Sequence, residues 1–199
     1  METPGLLIVI SGPSGAGKGT LCKMLREAMP ELEYSVSVTT RAPRIGEVEG
    51  VNYYYVDKAT FERMIENDEL LEWAKVYDNY YGTPKKKVLE HIKQGKDIIL
   101  EIDIQGAMNI KKQYPQGVFI FIVPPSIKEL EERITKRGTD SAETIRKRLS
   151  CASEELSYVS EYDYVIVNDT LENAIEKLKA VIIAEKCRPQ RKKLEGFCE

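Results

Sequence analysis

Histidine is nearly absent: His91 stands alone among 199 residues. Cysteine is scarce too. Cys22, Cys151, Cys187 and Cys198 lie far apart and form no CxxC pair. That argues against a zinc site or a disulfide framework, and for buried thiols in a reducing compartment. Long apolar runs are missing. The run at 6–10 is far short of the roughly 20 residues that a membrane-spanning helix needs, and no basic stretch precedes it as in a secretory signal. The cytoplasm is the expected location. Neither sign of charge dominates. Lys and Arg number 29 against 32 Asp and Glu, a net charge of -3. Nothing draws the whole chain to nucleic acid or to an anionic membrane, so any anion site must be built locally from a few placed cations. Repeats and low-complexity segments are also absent.

What is present is ordinary for a globular chain, with 42% hydrophobic and 31% charged residues. Apolar runs at 6–10, 98–104 and 118–123 read as buried strands, and 164–167 as another strand. Helical spacing predicts helices over 18–29, 142–160 and from Thr170 onward. Asp57 is placed to N-cap a helix whose apolar face is Phe61, Met64 and Ile65. Thr83 and Pro84 read as the cap and first position of another helix, closed by Gly95. His91 falls on that helix as a surface residue. Ser126 and Glu129 form a capping-box pair, and Gly138 ends the helix that follows. Strands alternating with helices predict an α/β fold with a parallel sheet. The stretch 35–84 breaks the alternation and reads as an inserted subdomain. The basic tail after Cys187 reads as a surface-lying end.

The residues Gly12, Pro13, Ser14, Gly15, Ala16, Gly17 and Lys18 fit the first seven positions of GxxxxGK[ST], between a buried strand and a helix. Glycines let successive N–H groups turn inward toward a phosphate, and the helix behind offers its positive end to the same anion. Lys18 can reach the β- and γ-phosphates of a nucleoside triphosphate. Gly19 stands where a Ser or Thr usually gives a hydroxyl to Mg²⁺, and Thr20 comes one place later. Mg²⁺ is therefore expected to arrive with ATP, with no direct protein ligand. Glu101 and Asp103, two apart in the apolar run at 98–104, are costly to bury without partners.

The order of motifs from residue 8 to residue 169 resembles guanylate kinases. It runs through Ser35 to Arg44, Gly46-Glu47, Tyr53, Glu72-Trp73, Asn79 to Thr83, Leu100 to Gly106, Pro124 to Ser126, Arg137 to Thr139, Lys147 to Leu149 and Val167 to Asp169. The resemblance implies ATP and GMP as substrates, with ATP along 12–20 and Asn168 near its adenine. Arg41, Arg44, Tyr53 and Tyr81 would hold the GMP phosphate. Glu72 would accept from guanine N1–H and N2–H₂, with Ser37 and Thr83 as hydroxyl partners. Glu101 and Asp103 would lie near the acceptor base and ribose, or serve Mg²⁺ through water; the sequence leaves both open. Arg137 and Arg148 match the lid arginines, while Arg133, Arg146 and Lys147 read as solvated. The catalytic set would be Lys18, Arg44, Arg137 and Arg148. The expected organisation is a P-loop core over 1–34, 85–125 and 151–199, a GMP-binding insert over 35–84 and a lid over 126–150. Two rivals are weighed: a kinase for AMP or UMP, opposed by Glu72, and a phosphopeptide-binding scaffold domain, opposed by Lys18 and the lid arginines. Monomer or homo-oligomer is left open.

Overall fold

A computed structural model describes residues 4–76, 78–136 and 142–191. A five-stranded parallel sheet forms its centre, in the order β2 (Glu33–Ser35), β7 (Ile98–Glu101), β1 (Leu7–Ser11), β8 (Val118–Val123), β9 (Tyr164–Val167). Burial on both faces explains the apolar runs of β1, β7 and β8, whereas β9 lies at the sheet edge with Val165 and Val167 exposed. In β1, Ile8 and Ile10 pack with Leu21 and Leu25 of α1 (Lys18–Ala28) and with Leu178 and Ile182 of α7 (Leu171–Lys186). Leu7 and Val9 face the other way, toward Val88 of α3 (Lys85–Lys93) and Ala107 and Ile110 of α4 (Ile104–Gln113).

A second, mostly antiparallel sheet has the order β4 (Tyr54–Tyr55), β3 (Val38–Thr39), β6 (Asn79–Pro84), β5 (Leu70–Val76). Helix α2 (Lys58–Glu66) covers it, burying Phe61 against Val38 and Leu70. The Phe61 ring also stacks on Tyr80 at 5.4 Å. Asp57 caps α2 as expected, accepting from the Thr60 N–H at 2.6 Å. The segment SVSVTT is divided between the sheets. Ser35 pairs with Leu100 in the first and Val38 with Gly82 in the second. Ser37 sits at the crossing between them.

Several expectations are corrected. The strand predicted over 98–104 stops at Glu101, so Asp103 does not share a strand face with it. Asp103 instead N-caps α4, accepting from the N–H groups of Gln105 at 2.8 Å and Gly106 at 3.1 Å. Thr83 is not a helix cap: it lies in β6, and α3 begins at Lys85 with Pro84 in extended conformation at its N-cap. His91 is half-buried, with Nδ1 3.6 Å from Glu33 Oε2. Ser126 does cap α5 (Ile127–Lys136), but the Glu129 carboxylate turns to Arg133 rather than back to Ser126. Arg133 also donates to the Asn168 carbonyl, tying α5 to the end of β9. The start of the basic tail does not lie free. Arg188 and Arg191 both clasp buried Glu185, at 2.8 and 3.0 Å. Gly138 and residues 192–199 lie outside the described residues. Helix α6 (Ala142–Leu156) follows, ending in a 3-10 turn.

Candidate active site

The chain leaves β1 at Ser11, turns through 12–17 and enters α1 at Lys18. Gly17 caps α1 with φ 94°, a left-handed conformation that favours glycine, and no side chain occupies the helix start. A Cβ there would also meet Asn168 Nδ2 at 2.4 Å. Asn168, expected beside adenine, is buried and donates its amide to the Ala16 carbonyl at 2.8 Å. It braces the loop from behind. Lys18 folds over the loop, donating to the carbonyls of Gly12 at 2.6 Å and Pro13 at 3.1 Å. Burial lowers its pKa, while the charges of Glu101, Glu155 and Asp103 pull it back up.

The loop opens into a cavity of about 570 Å³ that reaches the second sheet. Most of the expected residues meet there: Gly12, Ser14, Gly15, Gly17, Lys18 and Gly19 from the loop, Ser37, Arg44, Tyr53, Glu72 and Tyr81 from the insert, Glu101 and Asp103 from the end of β7, and Arg148 from α6. Others stand behind this surface. Pro13 and Ala16 are buried in the loop, and Thr20 is exposed on the first turn of α1. Arg41 and Thr83 act through neighbours, as follows. Arg137 lies outside the described residues.

Glu72 sits on β5 opposite Thr83 of β6, beside a register shift between Leu70 and Glu72. It is 6% exposed, and the Thr83 hydroxyl donates to its Oε1 at 2.6 Å. The other oxygen rests against α4, where a Cβ on Gly106 would stand 2.5 Å from Oε2. Burial pushes its carboxyl up to about 7; the Thr83 hydrogen bond works against this and the charge of Asp103 adds to it. The result is a buried carboxyl, held by Thr83 and lining the cavity. It can take a pair of N–H donors from a ligand.

Tyr53 and Tyr81 meet edge to face with centroids 5.9 Å apart, and the Arg41 guanidinium lies 5.4 Å from the Tyr53 ring centre. Arg41 forks onto Glu47 at 2.8 and 2.9 Å. Glu47 accepts as well from the Arg44 N–H and the Tyr55 hydroxyl, each at 2.8 Å. Burial alone would raise the Glu47 carboxyl, but these donors outweigh it and hold the pKa near about 2. Glu47 appears in the sequence motif without a role. The structure makes it the clasp that fixes the Arg41–Arg44 turn. Glu101 accepts from the Tyr34 hydroxyl at 3.1 Å. Glu155 of α6 also lines the cavity, and nothing in its sequence context separates it from a solvated helix charge.

Among the described residues the lining carries three cations, Lys18, Arg44 and Arg148, against five carboxyls, Glu72, Asp78, Glu101, Asp103 and Glu155. Burial raises Asp103 and Glu155 as well as Glu72. A loop shaped for phosphate thus faces a rigid acidic wall shaped for N–H donors.

The family model for guanylate kinase matches residues 5–185. The chain belongs to the guanylate kinase family. It is 61% identical over 97% of its length to a guanylate kinase of Caldanaerobacter subterraneus subsp. tengcongensis, covering 94% of that protein. With a guanylate kinase of Desulfitobacterium hafniense it shares 60% identity, over 96% of each chain. A crystal structure of guanylate kinase from Anaplasma phagocytophilum superposes with a TM-score of 0.81 at 36% identity, covering 96% of this chain and 91% of that one. Guanylate kinase membership thus rests on nearly the whole chain and includes both walls of the cavity.

Proposed function

We propose that this chain transfers the γ-phosphoryl group of ATP to GMP, giving ADP and GDP. The observation that carries the reading is the shared cavity: the phosphate loop with Lys18 forms one wall, and the buried Glu72 carboxyl with Tyr53 and Tyr81 forms the other. An oxygen of the GMP phosphate attacks the γ-phosphorus in line, and the bond to the β–γ bridging oxygen breaks, leaving that oxygen on ADP. Positioning and charge stabilisation supply the catalysis.

In this reading ATP lies along 12–20, with Lys18 on its terminal phosphates. Arg44, Tyr53 and Tyr81 hold the GMP phosphate, with Arg41 positioned by Glu47. Glu72 reads guanine N1–H and N2–H₂, Thr83 fixes its orientation, and Ser37 at the sheet crossing offers a hydroxyl to the base. Arg148 and Arg137 bring positive charge to the transferring oxygens. Glu101 and Asp103 flank Lys18 electrostatically and suit hydrated Mg²⁺, which takes oxygen ligands and keeps several waters. When bound with ATP, Mg²⁺ would supply positive charge against that of the phosphates. In this reading the core spans 1–34, 85–125 and 151–199, the insert 35–84 and the lid 126–150, although Ser35 itself pairs in the core sheet. The work belongs to purine nucleotide metabolism in the cytoplasm, a reading supported by the free thiols of Cys22, Cys151 and Cys187. No helix among the described residues is long and apolar enough to cross a membrane.

The test is ADP formation measured by a coupled assay with GMP, AMP, UMP and CMP in parallel. GMP alone should support fast turnover. Equal use of AMP would overturn the assignment of Glu72, and no turnover with any of them would overturn the kinase reading.

A further inference from the structure

Helix α6 brings two opposite charges to one point of the phosphate loop. Arg148 and Glu155 are seven residues apart, about two turns, and so share a face. Both line the cavity beside Ser14, Gly15 and Lys18. The Arg148 guanidinium donates to the Ser14 hydroxyl. The Glu155 carboxyl approaches the same residue at its backbone. Burial raises its pKa and the charge of Asp103 adds to this, while Lys18, the Ser14 N–H and Arg148 work in favour of the ionised form.

These partners are the ones a nucleotide phosphate requires: an inward N–H of the loop, the loop lysine and an arginine from α6. We propose that Glu155 is a built-in anion of the phosphate loop, whose carboxylate competes with the phosphates of ATP for Ser14, Lys18 and Arg148. The proposal rests on the reading of 12–20 as the ATP site. Its physical content is a like-charge conflict. A carboxylate and a triphosphate cannot both keep those donors, because each would hold the other's charge at close range in a partly buried site. Bound ATP must therefore displace Glu155. Because Glu155 and Arg148 ride on one helix, the displacement shifts α6 and re-aims Arg148 from Ser14 toward the incoming phosphate. Glu155 adds its charge to those of Glu101 and Asp103 around Lys18, so it also steadies the loop when no nucleotide is present.

The experiment compares the full-length wild type with Glu155→Gln and Glu155→Asp. Binding of MgATP and of GMP is measured by calorimetry, and melting temperature with and without saturating MgATP. Glu155→Gln keeps shape and removes the charge. It should bind MgATP about tenfold tighter, within the usual range for coupling between two linked groups, and leave GMP affinity unchanged. Its melting temperature should fall below wild type without nucleotide and reach or pass it at saturation. Glu155→Asp retains a carboxylate on a shorter arm and should lie between the two; it carries the test if the amide variant fails to fold. MgATP binding that is unchanged or weaker in a folded variant would overturn the proposal, as would a melting deficit of equal size with and without MgATP. If the wild type does not bind MgATP, the ATP-site reading falls and this proposal with it.

Discussion

The role proposed for Glu72 would join fold to specificity in a single residue. Its carboxyl is buried in the second sheet and raised from 4.5 to about 7. An unfolded chain would lose that proton near 4.5, so from about 4.5 to about 7 the folded form binds more protons. The contribution of this group to stability therefore falls as pH rises through that window. Guanine offers N1–H and N2–H₂, which need an ionised acceptor, so GMP binding should release the proton. Below pH 7 GMP affinity should weaken by up to about tenfold per pH unit. Glu72→Gln removes that step while keeping the titration of the GMP phosphate itself. Calorimetric titrations of both proteins between pH 5 and 8 separate the two effects; parallel curves would reject the role of Glu72. The same substitution should erode the preference for GMP over AMP, which a site with unpaired polar groups can enforce by roughly 10⁴-fold. Lys18 gives the complementary case. Lys18→Met should remove nearly all turnover while leaving the melting temperature close to wild type, because burial already disfavours its charge. A folded Lys18→Met protein with near-normal kcat would refute its assigned place on the phosphates.

At the scale of elements, β1, β7 and β8 were legible because burial on both faces leaves continuous apolar runs, whereas the edge strand β2, Glu33-Tyr34-Ser35, carries no such run. The phosphate loop was legible because its glycines and lysine have one backbone use between a strand and a helix. Helix α4 was not. Ile102 and Ile104 are both buried, so the apolar run continues past the end of β7 with no Gly or Pro to mark it. Only the Asp103 cap signals the change, and inside IILEIDI it reads as a strand acid. The resemblance set Glu72 and Thr83 together, but their direct contact was hidden for a related reason: Thr83-Pro84 mimics a helix start, whereas the cross-strand register of β5 and β6 makes Thr83 the partner of Glu72. The second sheet also yields a prediction. Phe61 is fully buried and holds α2 against the strands that carry Glu72 and Tyr81. Phe61→Ala should cost about 3–5 kcal/mol of stability and raise KM for GMP more than KM for ATP. Denaturant melts and initial rates would show this, and equal changes in both KM values would refute a local effect. On α6, Arg148→Ala should slow kcat at least about tenfold with GMP affinity nearly unchanged, since arginine charge matters most in the transition state. A variant that lost only GMP affinity would move Arg148 to the acceptor side.

At the scale of the whole molecule, the balance of charge around the cavity governs how two polyanions can meet. Five carboxyls face three cations on the described lining, and the chain as a whole is slightly acidic at -3. Such a site cannot attract ATP and GMP by static charge alone. The missing positive charge must come with the substrate or with arginines that arrive on α6 and its neighbourhood. In the proposed mechanism Mg²⁺ on ATP is the largest such source, so MgATP should bind far more tightly than free ATP, and excess chelator should abolish turnover. Position 19 offers a sharper test of how the metal is held. A Cβ at Gly19 would stand 3.4 Å from Glu101 Oε1, an ordinary contact, so a serine fits without displacing the carboxyl. Gly19→Ser would place a hydroxyl where P-loop proteins commonly hold Mg²⁺. It should keep the fold, retain the requirement for metal and lower the free Mg²⁺ needed for half-maximal rate. The measurement is turnover against free Mg²⁺ at fixed ATP and GMP. An unchanged Mg²⁺ curve in a folded variant would show that the metal lies out of reach of α1, and undiminished turnover in excess chelator would overturn the charge argument itself.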